Sequence, residues 1–88
     1  MTSNRTMQRY LKTLSDMQRK GFKSGRTFID VDTSLSEIAG DKVLIIRCWA
    51  THHSPCGRKT RLRVDLFNNA TEEDNEREIY KLNKFINN

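Results

Sequence analysis

Apolar residues recur at spacings of three and four along the first part of the chain. Met7, Tyr10, Leu11, Leu14 and Met17 span an arc of about 120° when each residue turns ~100°. That pattern predicts a helix from Asn4 to Lys20. Arg5, Arg9, Lys12, Arg19 and Lys20 fall on the opposite side, interrupted by Asp16. Gly21 offers the left-handed position that ends a helix, with Phe22 folding back on Met17. Residues 23–26 follow as a short basic turn.

The period then changes to two. Ile29 and Val31 point one way and Phe28, Asp30 and Asp32 the other, which predicts a strand over Thr27–Thr33. Ser34–Asp41 reads as a connection held down by Leu35 and Ile38, with Gly40-Asp41 as its turn. Lys42–Thr51 is the strongest strand. Its run Val43-Leu44-Ile45-Ile46 is apolar on both faces, as in the centre of a sheet. Thr51–Lys59 contains Pro55 and Gly57 and reads as a loop. Thr60–Phe67 alternates, with Leu62, Val64 and Leu66 facing in and Arg61, Arg63, Asp65 and Phe67 facing out. A second helix follows, with Thr71 as N-cap, Asp74 at the capping-box position, and Ile79, Leu82, Phe85 and Ile86 as its apolar stripe. Glu72, Glu73, Asp74 and Glu76 open this helix and Lys81 and Lys84 close it, an order that suits the helix dipole. The expected fold is α+β, in the order α-β-β-β-α. Short connections favour a three-stranded antiparallel sheet. Both helices would pack on the face that carries Ile29, Val31, Leu62, Val64 and Leu66.

Length sharpens the picture. Eighty-eight residues make one small domain, residues 1–88, whose core is thin. A large, deeply enclosed catalytic site is excluded at this size. No apolar run approaches the ~20 residues of a membrane span, and mean hydropathy is -0.77. No apolar segment of a signal peptide follows Met1, so the expected compartment is the cytoplasm. The sequons Asn4-Arg5-Thr6 and Asn69-Ala70-Thr71 are then coincidental.

Charge singles out two places. The chain carries 16 Lys and Arg against 11 Asp and Glu, a net +5. Residues 1–26 hold +6 and residues 57–67 hold +3, while residues 27–56 and 68–88 each hold -2. The first footprint is helical: Arg5, Arg9, Lys12, Arg19, Lys20, Lys23 and Arg26. Long cations on one face suit phosphate, and they also suit an ordinary solvated helix. The second lies on the outer sheet face, where Arg47 and Trp49 would sit beside Arg61, Arg63 and Phe67, with Arg58 and Lys59 in the preceding loop. Arginine with exposed aromatic rings can pair with phosphates and stack on bases. The competing reading is structural. Trp49 can cap the edge of the core, and Arg47, Arg61 and Arg63 can pair with Asp30, Asp32 and Asp65 across strands.

Cys48, His52, His53 and Cys56 lie within nine residues. All are possible zinc ligands, but the spacing is not a common one. The favoured reading is a buried free Cys48 with exposed loop histidines; zinc and a Cys48–Cys56 disulfide stay open. Cys56 beside a histidine could form a thiolate pair, but no third group orients it. Pro55-Cys56 is half of a nucleotide-deaminase zinc signature. Lys59 stands where the second cysteine belongs, and there is no His-x-Glu. No metal, cofactor or catalytic residue is therefore assigned, and no enzyme is expected.

The element order resembles that of double-stranded RNA-binding domains. Their contact needs a basic start to the second helix, where this chain has Glu72, Glu73 and Asp74. Three strands and a final helix also resemble the sheet-reading DNA-binding domains of integrases and plant ethylene-response factors. That resemblance implies DNA contact through Arg47, Trp49, Arg61 and Arg63; it concerns topology, not matched motifs. The leading expectation is a small nucleic-acid-binding accessory protein, with DNA favoured over RNA. The alternative is a protein-interaction module: a regulator or inhibitor of a larger protein, a phage or mobile-element accessory, or a homodimer built on Trp49, Phe28 and Phe67. Neither involves a membrane.

Overall fold

The computed structural model describes residues 1–87, the side chains of residues 22–24 excepted. Helix α1 spans Asn4–Ser24, strands β1, β2 and β3 span Thr27–Ile38, Asp41–His53 and Lys59–Phe67, and helix α2 spans Glu72–Ile86. The order is the expected α-β-β-β-α. The strands form one antiparallel sheet in the order β1-β2-β3. α1 lies against β1 and α2 against β3. Among the described residues no helix is long and apolar enough to cross a membrane.

One cluster forms the core. Met7, Tyr10 and Leu14 of α1 and Leu82 of α2 pack on Ile29, Ile46, Cys48, Ala50, Val64 and Leu66 of the sheet. Leu62, Val31, Ile79, Phe85 and Ile86 close its margins. These are the predicted stripes and the predicted inner face, so both helices cover one side of the sheet. Burying each large side chain contributes roughly 1.5–3 kcal/mol, which is why the three-stranded sheet needs both helices.

α1 runs past its expected end. Gly21 does not stop it, because Gly21 is a packing residue. A Cβ built on it would lie 2.7 Å from the Thr27 carbonyl oxygen. Only hydrogen fits where the helix crosses the start of β1. The left-handed residue is Gly25, at φ 70°, so the turn begins four residues later. The predicted contact of Phe22 with Met17 lies outside the described side chains. At the other end, Ser3 accepts from the Thr6 N–H at 3.2 Å. The Thr6 hydroxyl donates to Glu72 at 3.1 Å, tying the two helix starts together.

β1 is also longer than its sequence suggested. It continues through Leu35 and Ile38, and Ile38 pairs with Asp41. The predicted connection is thus strand, closed by the two residues Ala39 and Gly40. Both take positive φ, 53° and 83°, as a type I′ hairpin turn requires. β3 pairs with β2 only as far as Ile45, so the β1–β2 ribbon projects beyond the three-stranded region. A 13-residue strand is about 43 Å long, and the molecule measures 47 × 20 × 18 Å. The β2–β3 turn is tighter than the predicted loop. The Ser54 N–H donates to the Arg58 carbonyl at 2.9 Å and the Gly57 N–H to the Ser54 carbonyl at 3.0 Å. Pro55-Cys56-Gly57 is therefore a three-residue turn, with Gly57 at φ 87°.

A buried polar network locks the chain start to α2. Asn75 is fully buried on the core side of α2. Its amide donates to Thr2 Oγ1 and to the Phe67 carbonyl, each at 2.9 Å, and its Oδ1 accepts from the Phe67 N–H at 3.1 Å. Thr2 in turn donates its hydroxyl to the Ala70 carbonyl at 2.7 Å and its N–H to Asn68 at 2.8 Å.

Candidate functional site

Strand register decides which side chains meet on the face away from the helices. Three rows cross it: Phe28–Thr51–Arg61, Asp30–Trp49–Arg63 and Asp32–Arg47–Asp65. Lys59 continues the β3 column toward the β2–β3 turn. Trp49, Phe28, Arg47, Arg61 and Arg63 are exposed, with Trp49 at 38% and Phe28 at 43%. Trp49 is thus not a core cap. The face is not uniform, however. At its other end Val43 is buried and Ile45 and Phe67 are half-buried, so that end is apolar.

The arginines are held in place. The guanidinium carbons of Arg61 and Arg63 lie 5.7 and 5.5 Å from the centre of the Trp49 ring. Two such contacts orient both cations at roughly 0.5–1 kcal/mol each. The ring serves as a stand for arginines more than as a bare stacking surface. Asp65 takes Arg47 at 3.2 Å across the strands, as expected, and Arg63 at 3.1 Å along its own strand. Asp30 and Asp32 do not follow that expectation. Among the described residues neither forms an ion pair, and Arg61, Arg58 and Lys59 form none either.

The helical residues do not join this face. α1 turns Met7, Tyr10 and Leu14 toward the sheet, so Arg5, Arg9, Lys12, Arg19 and Lys20 point away from it. They are exposed. Arg5, Arg9 and Lys12 edge a shallow depression with Thr6 and Gln8. The Arg9 guanidinium lies 5.8 Å from the Tyr10 ring centre. Arg19 is paired with Asp16, while Lys20 borders a groove with Asp16, Met17, Asn83 and Ile86. Acidic side chains of α2 reach this side. Burial raises the Tyr10 pKa, and the charges of Glu76 and Glu72 raise it further against the opposing effect of Arg9. The Lys23 side chain lies outside those described.

The cysteines and histidines do not converge. Cys48 is buried among core residues and its thiol pKa is pushed up to about 11, first by burial and then by the Asp30 carboxylate. His52 lies on the inner face, with Nδ1 3.1 Å from the Thr27 hydroxyl and its ring edge-on to Phe85. His53 lies on the outer face, edge-on to Phe28 at 5.5 Å. Both belong to β2, not to a loop. Cys56 is exposed in the turn and forms no disulfide. Its pKa is lowered, chiefly by the Ser54 hydroxyl 3.0 Å away. Among the described residues no group of three or more His, Cys, Asp or Glu side chains could hold a metal.

Sequence reasoning missed Asn75 and the unpaired carboxylates. A polar residue at a core position of an amphipathic helix was the available signal for Asn75. No family model, no curated protein and no solved structure matches the chain.

Proposed function

We propose that the chain is a small nucleic-acid-binding accessory protein that uses its open sheet face, with no reaction of its own. One observation carries this reading: Arg61 and Arg63 stand on the ring of Trp49, on an uncovered face. Lys59 extends the same cationic column to the turn, in which Arg58 lies exposed. Preorganised guanidinium groups beside an aromatic platform suit phosphate together with base. Arg5, Arg9 and Lys12 would form a separate, weaker footprint, tempered by Glu72 and Glu76.

The test is titration of labelled oligonucleotides across a salt series. Binding at low salt that weakens linearly in log–log form is expected. Replacing both Arg61 and Arg63 with alanine should cost about tenfold or more and flatten the slope by roughly one unit per lost phosphate contact. No measurable binding at low salt would reject the reading.

The projecting ribbon favours a second reading, a protein-interaction module. Leu35 is 65% exposed and Ile38 49%, and the ribbon carries Glu37, Asp41 and Lys42, which suits phosphate poorly. A homodimer is its simplest form. Light scattering on the native chain and on L35S/I38S would detect a dimer that depends on these side chains.

A further inference from the structure

The open face is charged unequally from edge to edge. Its β3 edge carries Lys59, Arg61 and Arg63, followed by Asp65, which is neutralised by Arg63 and Arg47. Its β1 edge carries Asp30 and Asp32, which form no ion pair among the described residues. Between them lie Trp49 and Arg47, with Phe28 at the β1 edge of the next row. From this arrangement we infer that the ligand is single-stranded nucleic acid, with phosphates along β3 and bases turned toward β1. The inference rests on the nucleic-acid reading of this same face.

A duplex fits the face poorly. Three strands measure roughly 10 Å across, and a major groove is about 12 Å wide. A sheet laid in that groove meets a phosphate wall at each edge. One of those walls would lie against Asp30 and Asp32, two carboxylates with no cation of their own among the described residues. A single strand has one anionic edge and one neutral edge. Its phosphates can follow Lys59, Arg61 and Arg63, while its bases lie over the guanidinium-covered Trp49 and over Phe28. The carboxylates then face base edges, where an ionised Asp accepts from an exocyclic amino group such as cytosine N4. Thymine offers no amino group. The face therefore selects single strands over duplex, and amino-bearing bases over thymine.

The experiment compares three probes on the native full-length chain at neutral pH and low salt. They are oligo-dC, oligo-dT and a mixed duplex, each of about 12 nucleotides or base pairs, within the span of a small single-strand site. Oligo-dC should bind about fivefold or more tighter than oligo-dT, and both should bind tighter than the duplex. In D30A/D32A the dC-to-dT ratio should fall to about one, while duplex affinity rises. Both side chains are exposed and unpaired, so this variant keeps the fold, which circular dichroism checks. Duplex binding as tight as single-strand binding overturns the inference and leaves the nucleic-acid reading standing. Equal affinity for dC and dT in the native chain overturns the base orientation, and the inference with it. A chain that binds none of the probes, is dimeric by light scattering, and becomes monomeric as W49A would overturn both readings in favour of a protein interface.

Discussion

A methyl group on Gly21 would press into the Thr27 carbonyl, with backbone rather than a flexible side chain opposing it. Alanine gains about 1 kcal/mol of helix propensity over glycine, but relieving the contact means shifting α1 or β1. Gly21→Ala is therefore expected to destabilise the fold by about 1–3 kcal/mol net, read as a lower urea midpoint. The opposite sign at Gly21 would show that the helix end yields easily. Cys48 gives a second residue-scale prediction. Its thiol has a folded pKa of about 11 against an ordinary 9.0. The unfolded chain thus releases this proton first as pH rises. Stability should be unaffected by this group below about pH 9 and fall by about 2–3 kcal/mol between pH 9 and 11. The raised Tyr10 pKa acts in the same direction at higher pH. Cys48→Ala should flatten the loss whatever its own baseline. Cys56 behaves oppositely: its lowered pKa and exposure make it the thiol that iodoacetamide alkylates in the native chain. Cys48 should react only on unfolding, and Ser54→Ala should slow the reaction at Cys56. Peptide mass spectrometry separates the two sites.

At the scale of elements, the strand and helix faces were legible, as was the Thr71 cap that starts α2, but the C-terminal ends of α1 and β1 were not. Alternation through Leu62, Val64 and Leu66 and the spacing of Met7, Tyr10 and Leu14 report burial, and burial fixes which side of an element faces inward. Ends depend on contacts that periodicity does not carry. Gly21 looked like a helix stop because a glycine at that point serves equally well as a cap or as a close approach. Ser34–Ile38 looked like a loop because its strand pairing occurs in a ribbon with little core to cover. The role of Asn75 was not readable from periodicity because its partners Phe67 and Thr2 lie 8 and 73 residues before it, outside α2. Two element-scale outcomes follow. Ala39 holds φ 53° in the hairpin turn, a region costly for a side chain. Ala39→Gly should therefore stabilise the ribbon by up to about 1 kcal/mol, seen as a higher thermal midpoint. Asn75→Ala should cost about 2–4 kcal/mol, because the half-buried Phe67 N–H loses its acceptor and the Phe67 carbonyl and buried Thr2 hydroxyl lose a donor. If Asn75→Ala melts with the native chain, the network does not anchor the chain start.

At the scale of the molecule, the layered fold changes what the net +5 means. The two basic segments were visible in the sequence, but their separation was not, because it depends on α1 and the open sheet face being opposite surfaces. Arg5, Arg9 and Lys12 look away from the sheet, while Arg61 and Arg63 look away from the helices. A short oligonucleotide can reach only one of these surfaces. The arginines on Trp49 make the sheet the stronger one: Arg61 has no carboxylate partner among the described residues and Arg63 shares Asp65 with Arg47, whereas Glu72 and Glu76 offset the field near α1. Charge reversal at Arg9 and Lys12 should therefore leave the affinity for a ~12-nucleotide strand within about twofold, whereas R61A/R63A should abolish most of it. Longer strands can wrap from one surface to the other, so R9E/K12E should weaken them more than short ones and lower their salt slope. An equal loss for short strands in both variants would mean that the two surfaces act as one footprint, which this arrangement of helices and sheet does not permit.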